Sequence, residues 1–185
     1  MKEFELDKLL QAGEIKSELE LEQAAQADRK LRLLEANSSI VKKKRKQLRV
    51  LIYEYEQQIW STKSKITNKK ISESDEAELL VDQQEDFICN RKELIKSRLA
   101  KHNLNQQEFG RILGYKNKSH ISELMNGINP FTLRDLIVIS KLLKINLNDL
   151  VFRAISTEEQ RKIEKTIKQL DKPNLKLNKK EFAFT

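Results

Sequence analysis

Between Gly114 and Gly127, the run 118–123 carries five polar side chains: Lys118, Ser119, His120, Ser122 and Glu123. These types suit recognition of base edges. A lysine donates to guanine O6 or N7, a serine reaches either a base or a phosphate, and a glutamate accepts from cytosine N4. Gln106, Arg111, Lys116 and Asn126 surround them and suit phosphate oxygens, contacts that position a protein on a duplex without specifying sequence. Bond-making chemistry has no comparable candidates. His102 and His120 are the only histidines and have no acidic or cysteine partner at metal-ligand spacing. The single Cys89 is expected as a small buried side chain rather than a nucleophile. No glycine-rich phosphate loop and no nucleophile elbow occurs. The sequence therefore predicts no enzyme, no metal and no cofactor.

Helices must hold these side chains in place. Leu94, Ile95, Arg98 and Leu99 predict a helix over 91–102. Asn105 suits the N-cap of a short helix, Gln106 to Leu113, which Gly114 ends where a positive φ is needed. Gly110 falls where that helix must accept the next at close range. After the polar turn Lys116-Asn117-Lys118, a third helix is expected from Ser119 to Asn126, ended by Gly127. Pro130 and Thr132 open a fourth over 132–144, and a last short helix covers 148–152. Phe109, Leu113, Ile121 and Leu124 are the expected apolar contacts between the second and third helices.

Five short helices with a tight glycine turn between the second and third resemble the helix-turn-helix of phage-repressor-like proteins. From Gly114 to Ile121 is seven residues where that class usually has six, so the third helix starts one position from the common place. The stretch from Ile95 to Phe109, then Ile121-Ser122-Glu123-Leu124-Met125-Asn126-Gly127 followed by Phe131-Thr132-Leu133, resembles the HigA-type antitoxins more closely. Those carry a Val-Ser-Glu-Ile-Leu-Asn-Gly-like run before Leu-Thr-Leu, and a helical region upstream with a Tyr-Glu pair. Tyr53-Glu54 and Tyr55-Glu56 are candidates for that pair. The resemblance is specific over 91–152, loose over 17–60 and absent from 153–185. It implies operator DNA and a small basic mRNA-cleaving toxin of the HigB (RelE-like) group as partners, and places Gln106 at a phosphate.

The rest of the chain reads as helical. Gly and Pro together make 6 of 185 residues, roughly 3% where average usage is about 12%, too few turn residues for a sheet-rich fold. An all-α fold is expected, with an N-terminal helical hairpin ahead of the five-helix unit. Residues 1–13 show few regular signals. Leu19, Ala24, Ala27, Leu31 and Leu34 predict a helix over 17–36, and Leu48, Leu51, Ile52, Tyr55 and Ile59 another over 40–60. Such a hairpin must pack on the rest of the chain or on a second copy. The expected divisions are a hairpin region 1–60, a polar linker (61–71) and acidic helix within 61–90, the DNA-binding unit 91–152 and a basic tail 153–185. Ser72 or Ser74 would cap the acidic helix from Asp75 to about Phe87, and Thr157 with Gln160 would cap one in the tail. Phe182 and Phe184 are candidates for docking on a partner.

Charge is distributed in blocks under a net +8. Residues 31–71 hold 11 basic and 3 acidic groups, 72–89 hold 7 acidic and no basic, and 90–152 hold 11 and 5. Basic blocks favour polyanions, whereas the acidic block suits a basic protein. The longest apolar runs, such as Leu136–Ile139, fall far short of the ~20 residues of a membrane span, and a single Cys suits a reducing compartment, so a cytoplasmic protein is expected. Three functions follow in order of preference. The first is an autorepressing antitoxin, a homodimer on a palindromic operator, with the acidic block and an apolar face of the hairpin engaging the toxin. The second is a phage-like repressor with no toxin partner, its hairpin serving dimerisation. The third is a helical scaffold that has lost DNA binding.

Overall fold

A computed structural model describes residues 4–59, 61, 67–170 and 175. Among them the chain is all-helical: α1 Leu6–Ala12, α2 Glu18–Leu34, α3 Ser39–Ile59, α4 Asn68–Lys101, α5 Gln106–Leu113, α6 Lys118–Met125, α7 Leu133–Leu143 and α8 Thr157–Gln169, with 3-10 turns at Glu35–Asn37 and Leu147–Asp149. Two apolar cores organise them. One, built by α1, α2 and α3, gathers Leu6, Ala24, Leu31, Val41, Leu48 and Tyr55. The other gathers Ile95, Phe109, Ile121, Leu124, Ile139 and Leu150.

The hairpin forms as expected and packs within the chain: α2 lies against both α3 and α4. Two polar ties bind these helices. The buried amide of Gln23 donates to Gln84 at 3.0 Å. Buried Glu18 accepts from the Tyr55 hydroxyl at 2.8 Å and pairs with Lys70 at 2.6 Å, so one carboxylate joins α2, α3 and α4. Burial of Lys70 disfavours its charge, but its hydrogen bonds to Glu18 and Tyr55 outweigh that and hold its pKa above the usual lysine value.

Four expectations change. The start of the chain carries α1, whose Leu6 and Leu9 are buried under the hairpin. The expected acidic helix and the first helix of the DNA-binding unit are one 34-residue element capped by Thr67, because no Gly or Pro interrupts 68–101. That helix also takes in the end of the expected linker; residues 62–66 lie outside the described residues. In the tail the N-cap is Ser156, which accepts from the Glu159 amide, one residue before the expected pair. Cys89 is exposed rather than buried, and partial burial followed by Glu85 raises its thiol pKa, which keeps it protonated and poorly nucleophilic. Phe182 and Phe184 lie outside the described residues.

α4 therefore spans both cores. At their junction Arg91 is buried between the rings of Phe87 and Phe131, 5.2 and 5.4 Å from their centroids, and donates to the Leu150 carbonyl at 3.1 Å. A charge taken so far from water needs such partners. Here it fastens the end of the second core to the long helix.

Candidate nucleic-acid interface

α5 begins with a capping box. The Asn105 side chain accepts from the Gln107 and Glu108 amides, both at 2.9 Å, and Glu108 returns a bond to the Asn105 amide. Gln106, at the first helical position, is left at the open end of the helix, where backbone N–H groups and the helix dipole favour an anion. The close approach of α5 and α6 is set at Gly110, where an added Cβ would stand 3.2 Å from Cβ of Ile121. Gly114 closes α5 at φ +95°, a backbone that L side chains rarely adopt.

The turn that follows is pinned by side chains. Tyr115 donates its hydroxyl to buried Asp135 at 2.6 Å, and the same carboxylate accepts from the Thr132 amide and hydroxyl. Burial first, and then the bond to Asp135, push the Tyr115 pKa up to about 12. The ring of His120 packs on that of Tyr115, 4.8 Å between centroids. Arg134 donates to the Leu113 carbonyl at 3.2 Å, so α7 holds the end of α5 as well as the turn. Asn117, the residue before α6, caps it by accepting from the Ser119 amide at 2.9 Å. α6 thus starts at Lys118, one residue earlier than the sequence predicts.

On α6, Ile121, Leu124 and Met125 face the core. Lys118 is exposed and Ser119 and Ser122 are half-buried in the first turns, with Ser122 three and four residues from the other two, the steps that bring side chains to neighbouring positions. Residues 95–150 match the helix-turn-helix family. No curated protein and no solved structure matches the chain. In a helix-turn-helix domain the second helix of the motif enters the major groove with its N-terminal residues against base edges. Here that helix is α6, and its free N-terminal half carries Lys118, Ser119 and Ser122.

The remaining candidates fall elsewhere. Glu123 is withdrawn from the free side: its carboxylate is buried, accepts from Asn129 at 2.9 Å, and pairs with Lys44 of α3 at 3.0 Å. Lys44 also meets Asp7 at 2.8 Å. Its pKa is lowered by burial but raised further by its bonds to Asp7 and Glu123, so the net shift is upward and the ammonium stays charged. His120 is engaged with Tyr115. Asn126 accepts from Lys92 of α4 at 2.7 Å and donates to the Ser122 carbonyl. Arg111 and Lys116 are exposed, but Arg111 and Gln106 lie about 140° apart around α5 at 3.6 residues per turn, too far to face one phosphate.

Sequence inspection passed over two groups. Arg134 stands in the first turn of α7, with 71% of its side chain exposed. A helix dipole disfavours a cation there, which was the available signal. The Lys44 partner of Glu123 carried none, being 79 residues away. No helix among the described residues is long and apolar enough to cross a membrane.

Proposed function

We propose that this chain is a sequence-specific transcriptional regulator that inserts the N-terminal half of α6 into the major groove of an operator. The observation that carries this is the helix-turn-helix match at 95–150 together with the free Lys118, Ser119 and Ser122. Lys118 donates to guanine O6 or N7, and the two serines reach a base or a phosphate. Gln106 and Lys116 hold the backbone. Two copies on a palindrome would set their reading helices about 34 Å apart.

A second role, antitoxin to a small basic mRNA-cleaving toxin of the HigB (RelE-like) group, is supported by α4. Asp75, Glu78, Asp82 and Asp86 are exposed along it at three- and four-residue steps, and Leu79 among them is 61% exposed. An acidic face with one apolar side chain suits a basic protein surface. On the hairpin Leu48 and Tyr55 are buried within the chain, whereas Leu33, Ile40, Val50 and Tyr53 are exposed and leave apolar side chains for a partner. The reading as a repressor with no toxin partner is favoured by the packing of α2 on both α3 and α4, which needs no second protein.

Operator binding is tested by mobility shift on the chain's own upstream DNA, where Lys118→Ala with Ser119→Ala should abolish the specific complex. Co-expression with the product of the adjacent gene separates the two roles. Co-purification and rescue of growth support the antitoxin, and their absence leaves the plain repressor.

A further inference from the structure

α3 and α4 each carry an exposed stripe of one charge. On α3 it runs Lys42, Lys46, Arg49 and Tyr53, with Val50 beside it; the three cations are exposed, as are Tyr53 at 62% and Val50 at 48%. On α4 it runs Asp75, Leu79, Asp82 and Asp86, all exposed, with Leu79 at 61%. Nearby Lys44, Arg45 and Lys70 are committed to carboxylates of the fold. The charged groups of the two stripes have no ion-pair partner among the described residues.

The two stripes share one geometry. Both follow steps of four, three and four residues. At 3.6 residues per turn each stays within about 60° around its helix and rises about 16 Å from end to end. Both set like charges three or four residues apart, which an isolated helix disfavours and a counter-charged neighbour relieves. Each stripe is also turned away from α2, the helix on which α3 and α4 both pack. Tyr55, bonded to Glu18, marks the side of α3 that meets α2, and Gln84, bonded to Gln23, marks that side of α4. Every stripe position stands at least about 120° around its helix from that mark. Lys44, which reaches Glu123 of α6, leaves α3 about 180° from the basic stripe, so the stripe lies on the side away from the reading helix.

We propose that the basic stripe of α3 docks on the acidic stripe of α4 in a second copy of this chain. Lysine and arginine meet aspartates, and Val50 and Tyr53 supply apolar cover for Leu79. A polyanion would match the cations of α3 alone, whereas a second copy accounts for the charges and the exposed apolar groups of both stripes. The contact joins unlike surfaces, so each copy keeps one stripe for a further neighbour and copies can add in line. Stripes of about 16 Å make a small interface of the weak, transient class. The acidic stripe is the one offered above to a basic toxin, so a toxin and a second copy would exclude each other there. The proposal does not depend on the DNA-binding reading.

The test is sedimentation velocity on the full chain at micromolar to submillimolar concentration, with two charge-neutral variants. Lys42→Gln/Lys46→Gln/Arg49→Gln removes the basic stripe, and Asp75→Asn/Asp82→Asn/Asp86→Asn removes the acidic one. The wild type should associate with rising concentration at low salt and dissociate at high salt. Each variant alone should associate at least about tenfold more weakly, the effect of three exposed charge pairs. Mixed together, the variants should form a 1:1 pair that grows no further, because each still offers the stripe the other lacks. Lys42→Arg/Lys46→Arg should associate like the wild type, and circular dichroism should show an intact fold throughout. A wild type that stays monomeric overturns the proposal, and so does either neutral variant associating as the wild type does. Variants that fail to pair when mixed overturn it as well. A monomeric wild type whose basic stripe binds single-stranded RNA would assign that stripe to nucleic acid instead. Each of these failures leaves the operator reading untouched.

Discussion

Lys118, Ser119 and Ser122 stand in the first turns of α6 and make no side-chain hydrogen bond among the described residues, so replacing them should separate binding from stability. Each alanine substitution should cost about 1–3 kcal/mol of discrimination on operator DNA, measured by competition binding, with little change in Tm. Tyr115 should behave in the opposite way. Its hydroxyl holds Asp135, so Tyr115→Phe should destabilise the domain by about 1–2 kcal/mol in denaturant unfolding. The folded pKa of about 12 lies above the unfolded value near 10, so the neutral phenol is the stabilised form. That contribution is fully present below pH 10 and is lost as pH rises through about 12. The penalty of Tyr115→Phe should therefore be flat from pH 6 to 9 and shrink above 10. Glu22 carries the reverse burden. Burial first, then Glu78, raises its pKa, so its charge is disfavoured in the folded chain. Glu22→Gln should raise Tm by roughly 1–2 °C at pH 7, and the gain should fade as pH drops through and below the unfolded carboxylate value of about 4.3.

Among the elements, α5 and α7 were legible because their signals are local. Asn105 with Glu108 is a capping box within four residues, and Thr132 with Asp135 is another. Gly110 and Gly114 announce a close contact and a left-handed turn within one helix length. The extent of α4 was not legible in the same way. Its middle reads as a change of composition from acidic to basic, and only the absence of Gly and Pro argues for continuity. Asn90→Pro tests that continuity directly. In an unbroken helix it should cost about 3 kcal/mol or more in thermal unfolding, whereas a loop at 88–90 would accept it. α1 escaped notice because two buried leucines in seven residues are too few to establish a period.

At the scale of the whole molecule, the two cores are joined by contacts that no local pattern announces. Ile128, just past α6, is buried in the N-terminal core, and its carbonyl accepts from the Leu6 amide at 3.2 Å. Glu123 belongs to the same junction. Sequence reading assigned it to cytosine because its helix position allows that, and only the fold brings Lys44 and Asn129 against it. Lys44→Ala should leave a buried charge half-satisfied and destabilise the chain by about 2–3 kcal/mol in equilibrium unfolding. Adding Glu123→Gln should recover part of that loss, since the carboxamide needs no counter-charge. If the double variant is no more stable than Lys44→Ala alone, the pair does not hold the two cores together.

The central claim is that α6 reads sequence. It is tested most directly by selecting bound duplexes from a random DNA library with the wild type and with Lys118→Ala/Ser119→Ala/Ser122→Ala. The expected result is an enriched palindrome whose half-site centres lie one helical turn, about 34 Å, apart, and its loss in the variant despite an intact fold. Enrichment of no sequence by the wild type, or of the same sequence by both proteins, would contradict it.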